Sequence, residues 1–156
     1  MRQVVQVVRG QPMSEGAGVR IARLIGTPAL QVLDPFLMLD HFDSADAADY
    51  LAGFPDHPHR GFETVTYMLE GRMRHADNKG HSGVIETGGV QWMRAGRGIV
   101  HSEMPEQEAG RMRGFQLWVN LPAKLKMTPP GYQEFGAPRM GRETRTGGVE
   151  VHVIAG

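Results

Sequence analysis

Two short segments of the chain each carry a pair of side chains that can bind a metal ion. His57 and His59 flank Pro58, and Glu103 follows His101 at the same two-residue spacing. In an extended strand, residues two positions apart point to the same face, so each pair can present both side chains to one point. Three imidazoles and one carboxylate would form a ligand set for a divalent transition metal and leave coordination positions open.

Either pair alone is weak evidence for a metal site, because a His-x-His sequence also occurs in many proteins that bind no metal. The combination is more specific, since both pairs have strand spacing and both lie beside glycine-containing turns. Pro58 suits a strand that enters the mouth of a barrel, because proline cannot donate to a ladder of hydrogen bonds. Two interpretations stay open at this point: one metal site formed by both pairs, or two unrelated pairs.

The rest of the sequence predicts short strands that could position these side chains. Runs of apolar or alternating residues are separated by turn residues, and the chain contains 21 glycines and 10 prolines, a pattern typical of many short strands. No segment has a helical period of helical length, so residues 44–51 and 121–126 are expected to form one turn each at most. The spacing predicts an all-β sandwich or barrel. The predicted strands are residues 4–8, 16–25, 36–42, 63–69, 72–75, 83–86, 90–93, 99–103, 115–121 and 149–154.

The composition argues against several classes of function. The chain has 156 residues, enough for one domain, and its 17 basic and 17 acidic residues balance, so no charge excess predicts binding to nucleic acid or to an anionic membrane. It has no cysteine, which excludes disulfides and thiolate zinc sites. No apolar run approaches the ~20 residues of a membrane span, and the N-terminal sequence lacks the apolar core of a signal peptide. We therefore expect a cytoplasmic protein.

Three long stretches of the sequence resemble the pirin family, which belongs to the cupin superfamily. They are residues 57–71 (HPHRGFETVTYMLEG), residues 91–106 (QWMRAGRGIVHSEMPE) and residues 114–127 (GFQLWVNLPAKLKM). These strings are unusual, and the resemblance covers almost the whole chain. It implies an all-β fold, an antiparallel jelly-roll β-barrel of the cupin type.

The resemblance also implies a single metal site within that barrel. The implied metal is commonly Fe(II), and imidazole and carboxylate ligands would also suit Mn, Co, Ni, Cu or Zn. The implied ligands are His57, His59, His101 and Glu103.

Pirins are associated with quercetin 2,3-dioxygenase activity, so the resemblance implies an oxidoreductase that acts on flavonol-like, phenolic substrates with O₂. In that reaction Glu103 would take the proton of the flavonol hydroxyl, which makes it the predicted catalytic residue. The resemblance implies an alternative as well: a metal-dependent, redox-sensing regulator that binds a protein partner such as a transcription factor.

Four further residues have imidazole or carboxylate groups that were considered for the site. Glu63 is either a hydrogen-bond partner of a ligand histidine or a surface residue of a strand. His41 lies in an apolar strand and is expected to be a core histidine, whereas His75 and His81 flank a turn and are expected to be solvated.

The length of the chain raises the question of domain organisation, because pirins usually fold as two cupin domains. We expect residues 1–156 to form a single N-terminal cupin domain, with the second domain absent or truncated after about residue 150. The predicted strand 149–154 would then expose an apolar edge, which favours a homodimer.

Overall fold

The computed structural model describes residues 3–155, which are almost entirely β-structure. Short 3-10 turns lie at Ala47–Asp49, Ala123–Leu125 and Ala137–Arg139, and α-helix does not occur among the described residues. Accordingly, nothing helical in residues 3–155 has the length and apolar character that a bilayer crossing requires. The strands are β1 (Gln11–Glu15), β2 (Val19–Ile25), β3 (Phe36–Ser44), β4 (Phe54–His59), β5 (Phe62–Glu70), β6 (Met73–Asp77), β7 (Ser82–Ile85), β8 (Val90–Arg94), β9 (Ile99–Pro105), β10 (Met112–Asn120), β11 (Gly131–Phe135), β12 (Gly141–Arg145) and β13 (Val149–Val153).

The strands form two antiparallel sheets that pack face to face. The larger sheet has seven strands in the order β1-β2-β3-β10-β5-β8-β11, and the smaller has four in the order β4-β9-β6-β7. A separate hairpin consists of β12 and β13. The predicted all-β, antiparallel cupin class is confirmed. The barrel is not closed, because among the described residues no strand of the seven-stranded sheet pairs with a strand of the four-stranded sheet.

An apolar core joins the two sheets. Met68 of β5 is fully buried and belongs to a cluster with Phe42 and Met112 of the larger sheet and with Met73 and Ile85 of the smaller one. Burial of each such side chain contributes roughly 1.5–3 kcal/mol to stability. This core holds the sheets together and so fixes the separation across which polar side chains face each other.

Most predicted strands are confirmed, and the departures have physical reasons. Residues 4–8 do not form a strand, and Val4 and Val5 are exposed, so no sheet covers their apolar side chains. The run 36–42 is apolar nearly throughout and so predicts a strand buried on both faces, but in β3 only Met38, Asp40 and Phe42 are buried.

Three strands, β1, β11 and β12, escaped prediction. The segment GRETR of β12 is polar and exposed throughout, so it has no apolar alternation to reveal it. Strand β13 was predicted, and its Val149 and Val153 are exposed. The dimer expected from that exposed edge stays a prediction.

Candidate metal centre

Two neighbouring strands of the smaller sheet carry the four predicted metal ligands. Strands β4 and β9 pair antiparallel, with His57 opposite His101 and His59 opposite Ile99. His59, His101 and Glu103 are buried, with 7%, 0% and 1% of their surfaces exposed. The two-residue spacing therefore turns both pairs inward, towards the larger sheet.

A glycine turn sets the start of β9 against the end of β4. The N–H of Gly61 donates to the carbonyl of Gly96 over 2.7 Å. Gly96 has a φ of 51°, and a Cβ there would lie 2.1 Å from the carbonyl oxygen of Thr128. Only glycine adopts this conformation in that space without strain, so the turn and the ladder that follows it depend on Gly96.

Three histidines converge on one point between the sheets. One ring nitrogen from each of His57, His59 and His101 lies within 4.8 Å of the other two. The Nε2 atoms of His57 and His59 are 3.0 Å apart, and the His101 ring centroid lies 4.5 Å from that of His57 and 4.9 Å from that of His59. Such a cluster of imidazoles suits a divalent transition metal.

Unpartnered nitrogen atoms support this interpretation. Neither ring nitrogen of fully buried His101 has a hydrogen-bond partner among the described residues. An unsatisfied buried polar group costs roughly 1–3 kcal/mol, and bonding to a cation would offset that cost. A hydrogen bond also orients His57 for metal binding. When its Nδ1–H donates to the carbonyl of Pro55 over 2.8 Å, the lone pair of Nε2 is available for a metal.

The electrostatic setting keeps the imidazoles of His59 and His101 neutral. Desolvation, reinforced by repulsion from His101 and His57, lowers the pKa of His59 to about 3. Desolvation, with repulsion from His57 and His75, likewise lowers the pKa of His101 to about 3. Both rings therefore offer a nitrogen lone pair at neutral pH, which metal binding requires.

Glu103 stands apart from the three-histidine cluster and is held by the larger sheet. Nε2 of Gln116 donates to both carboxylate oxygens over 2.9 Å, and the hydroxyl of Thr66 donates to Oε1 over 3.2 Å. The cluster of nitrogen atoms within 4.8 Å does not include this carboxylate. The structure thus brings together three of the four predicted ligands, and the metal-binding role of Glu103 stays a prediction.

A cavity of about 610 Å³ opens beside the cluster. Glu103 and Gln116 line it, together with the ion pair in which the guanidinium of Arg23 donates twice to Asp40 over 2.8 Å. This volume lies in the range of small-molecule sites, which combine apolar walls with a few polar groups. The apolar part of the wall comprises Met38, Phe54, Pro55, Pro58 and Trp118.

The remaining candidates have other roles. Glu63 accepts a hydrogen bond from Trp92 Nε1 over 2.8 Å, on the face of β5 opposite buried Thr64 and Thr66. Of the two alternatives, a partner of a ligand histidine or a surface residue of a strand, the structure therefore favours the surface residue. The expectation that His41 is a core residue is wrong: it is only half-buried, because it alternates with buried Phe42 along β3.

The prediction for the two histidines beside the turn was correct for one of them. His81 is exposed and pairs with Asp77. His75 is 3% exposed, so the expectation that it is solvated is wrong. The reason is register: β6 pairs with β9 so that His75 lies opposite Glu103 and faces inward, where its Nε2 lies 2.5 Å from Glu134 Oε1.

Sequence reasoning missed the polar residues of the larger sheet that complete the site. Gln116, Thr66 and Asp40 lie side by side on β10, β5 and β3, and Thr66 and Asp40 are buried. The available signal was a polar residue at an inward position of a strong apolar strand, as Gln116 is between Phe115 and Leu117.

Comparison with known proteins agrees with this fold. The Pirin family model matches residues 18–119. A pirin-like protein of Caulobacter vibrioides is 70% identical over 156 residues, a match that covers 100% of this chain and 56% of the relative. A Pseudomonas aeruginosa relative, whose name gives quercetin 2,3-dioxygenase as a provisional activity, is 61% identical over 155 residues, covering 99% of this chain and 54% of the relative. The chain thus spans about half the length of these curated relatives.

A solved structure shares the same architecture. The crystal structure of quercetin 2,3-dioxygenase from Acinetobacter baumannii superposes with a TM-score of 0.82 and 36% sequence identity, covering 96% of this chain and 55% of that one. Residues 18–119, which the Pirin family model matches, include strands β4 and β9 with the histidine cluster and the part of β10 that carries Gln116. The chain therefore belongs to the pirin family.

Proposed function

We propose that this chain is the N-terminal, metal-binding cupin domain of a dioxygenase of the quercetin 2,3-dioxygenase type, acting on flavonol-like enolic substrates with O₂. The observation that carries the proposal is the convergence of three imidazoles, two of them with a pKa of about 3, beside a cavity of about 610 Å³. The similarity to a solved quercetin 2,3-dioxygenase supports this choice of reaction.

The proposed metal ligands are the three clustered histidines and Glu103, with Fe(II) as the metal. When bound, such an ion supplies Lewis acidity towards an enolic oxygen and redox capacity towards O₂. The buried rings of His59 and His101 would be held in place by packing, and the hydrogen bond to Pro55 would direct Nε2 of His57 towards the site.

Glu103 is the proposed proton acceptor. Its carboxylate lines the cavity and accepts hydrogen bonds from Gln116 and Thr66, which hold its oxygens in place. A flavonol hydroxyl that enters the cavity would transfer its proton to a carboxylate oxygen of Glu103, leaving an electron-rich enolate for the reaction with O₂.

The cavity walls provide the complementary surface for such a substrate. Phe54 and Trp118 present aromatic rings, and Met38 adds a flexible apolar side chain. These groups would pack against a planar aromatic substrate and exclude competing water. Arg23, which pairs with both Asp40 and Glu15, would add polar groups to this wall.

Anaerobic reconstitution with Fe(II), followed by an aerobic assay of quercetin absorbance, tests the proposal. We expect metal-dependent loss of flavonol absorbance that His101→Ala abolishes and His81→Ala preserves, because His81 is an exposed histidine outside the cluster. Equal rates for the parent and His101→Ala would refute the proposal. Metal binding with no turnover of any phenolic compound would instead favour the regulatory alternative.

A further inference from the structure

We infer that Gln116 is a positioning residue that fixes the direction of the Glu103 carboxylate, and that Trp118 fixes the direction of Gln116. The importance of this carboxylate for turnover rests on the proposed function. The positioning itself rests on contacts between β10 of the larger sheet and β9 of the smaller sheet.

The contact between Gln116 and Glu103 spans the space between the two sheets. Nε2 of Gln116 lies 2.9 Å from both Oε1 and Oε2, and Thr66 donates a further hydrogen bond to Oε1. Glu103 is 1% exposed, and the ion pairs of the described residues do not include it. A buried carboxylate without a cationic partner depends on hydrogen bonds for its stability, and Gln116 supplies the shortest of these.

The indole of Trp118 determines which way the Gln116 amide points. An indole N–H is only a donor, so it must meet the amide oxygen, and Nε1 of Trp118 lies 3.1 Å from Oε1 of Gln116. The amide nitrogen is then turned towards Glu103. The reverse orientation would place two donors together at Trp118 and two acceptors together at Glu103, so hydrogen-bonding chemistry selects the orientation that positions the carboxylate.

The histidine cluster supports the same chain of contacts. The ring of Trp118 lies edge-on to that of His59, with centroids 5.1 Å apart. The ring of Phe62 also packs against Trp118, with a centroid distance of 4.4 Å. The positions of His59, Trp118, Gln116 and Glu103 are therefore linked through successive contacts. A carboxylate held in this way keeps a constant direction relative to the imidazoles.

The test compares Gln116→Leu, which removes the amide and keeps similar volume, with Trp118→Phe, which keeps an aromatic ring and removes the N–H. Gln133→Leu is the matched control, because Gln133 is an exposed glutamine of β11. Glu103→Gln provides the reference for a changed carboxylate. Each purified protein is loaded with Co(II) for its visible absorption spectrum, and separately with saturating Fe(II) for kcat and KM on quercetin.

We expect Gln116→Leu to lower kcat by about 10–100-fold, the range for groups that orient metal ligands and their neighbours, with a smaller change in KM. Its Co(II) spectrum should shift in the direction of Glu103→Gln, Trp118→Phe should shift part of the way, and Gln133→Leu should match the parent. If the parent itself turns over no quercetin, the proposed reaction fails and the spectra alone decide the inference. The inference is overturned if both Gln116→Leu and Trp118→Phe give the parental Co(II) spectrum, or if their spectra shift in a way unlike that of Glu103→Gln. If Gln116→Leu does not fold, the spectrum of Trp118→Phe alone tests the inference.

Discussion

Acid should destabilise the metal-free protein steeply, because two buried histidines are neutral in the folded state. Burial lowers the pKa of His59 and of His101 from 6.5 to about 3. Between these values the unfolded chain binds protons that the folded chain does not. Stability from the neutral rings is therefore fully present above pH 6.5 and is lost as the pH falls, until the folded form also takes up protons near pH 3.

The magnitude follows from linkage. Each histidine lowers the free energy of unfolding by up to about 1.4 kcal/mol per pH unit within that window. Two such residues should together remove roughly 2–3 kcal/mol between pH 6 and pH 5. This is a large share of the ~5–15 kcal/mol by which a domain is stable.

Urea denaturation, followed by circular dichroism in the presence of a chelator, measures this slope at pH 7, 6 and 5. The variant His101→Leu loses one of the two buried imidazoles, so its slope should be shallower than that of the parent by about 1.4 kcal/mol per pH unit. A change below about 1 kcal/mol between pH 6 and 5 in the parent, or the same slope in both proteins, would refute the reasoning from burial.

Three further predictions concern stability and metal binding. At pH 7 the metal-free His101→Leu protein should be more stable than the parent by about 1–3 kcal/mol in urea denaturation, because an unpartnered buried imidazole is replaced by an apolar side chain; lower stability would contradict this account. Saturating metal at 100 times Kd should raise the unfolding free energy of the parent by about 2.7 kcal/mol, and thermal melts should show no such increase for His57→Ala. Gly96→Ala should cost about 1–3 kcal/mol, because its φ is 51° and its Cβ would meet the carbonyl of Thr128; an unchanged melting temperature would contradict the role given to this turn.

The sequence alone was sufficient to predict what local spacing determines. The His57–His59 and His101–Glu103 pairs point inward because strand geometry has a period of two, and the alternating run in β5 identified a strand within one residue at each end. Short strands with glycine turns were enough for the all-β class.

What could not be predicted depends on pairing between distant segments. His75 is buried because β6 pairs with β9 in a register that places it opposite Glu103, and no local pattern specifies that register. The neighbours of Glu103 come from β5 and β10 of the other sheet, so their relation to β9 appears only once the two sheets are packed.

The open barrel has a consequence for how this site can change. The three imidazoles are attached to a single ladder of β4 and β9, whereas Glu103 is steered by side chains across the gap between the sheets. Substitutions of Gln116 or Thr66 in the larger sheet can therefore change the direction of the Glu103 carboxylate while the ladder that spaces the imidazoles is preserved. Variation in one sheet can thus change how the site handles a proton without rebuilding the two strands that hold its three histidines.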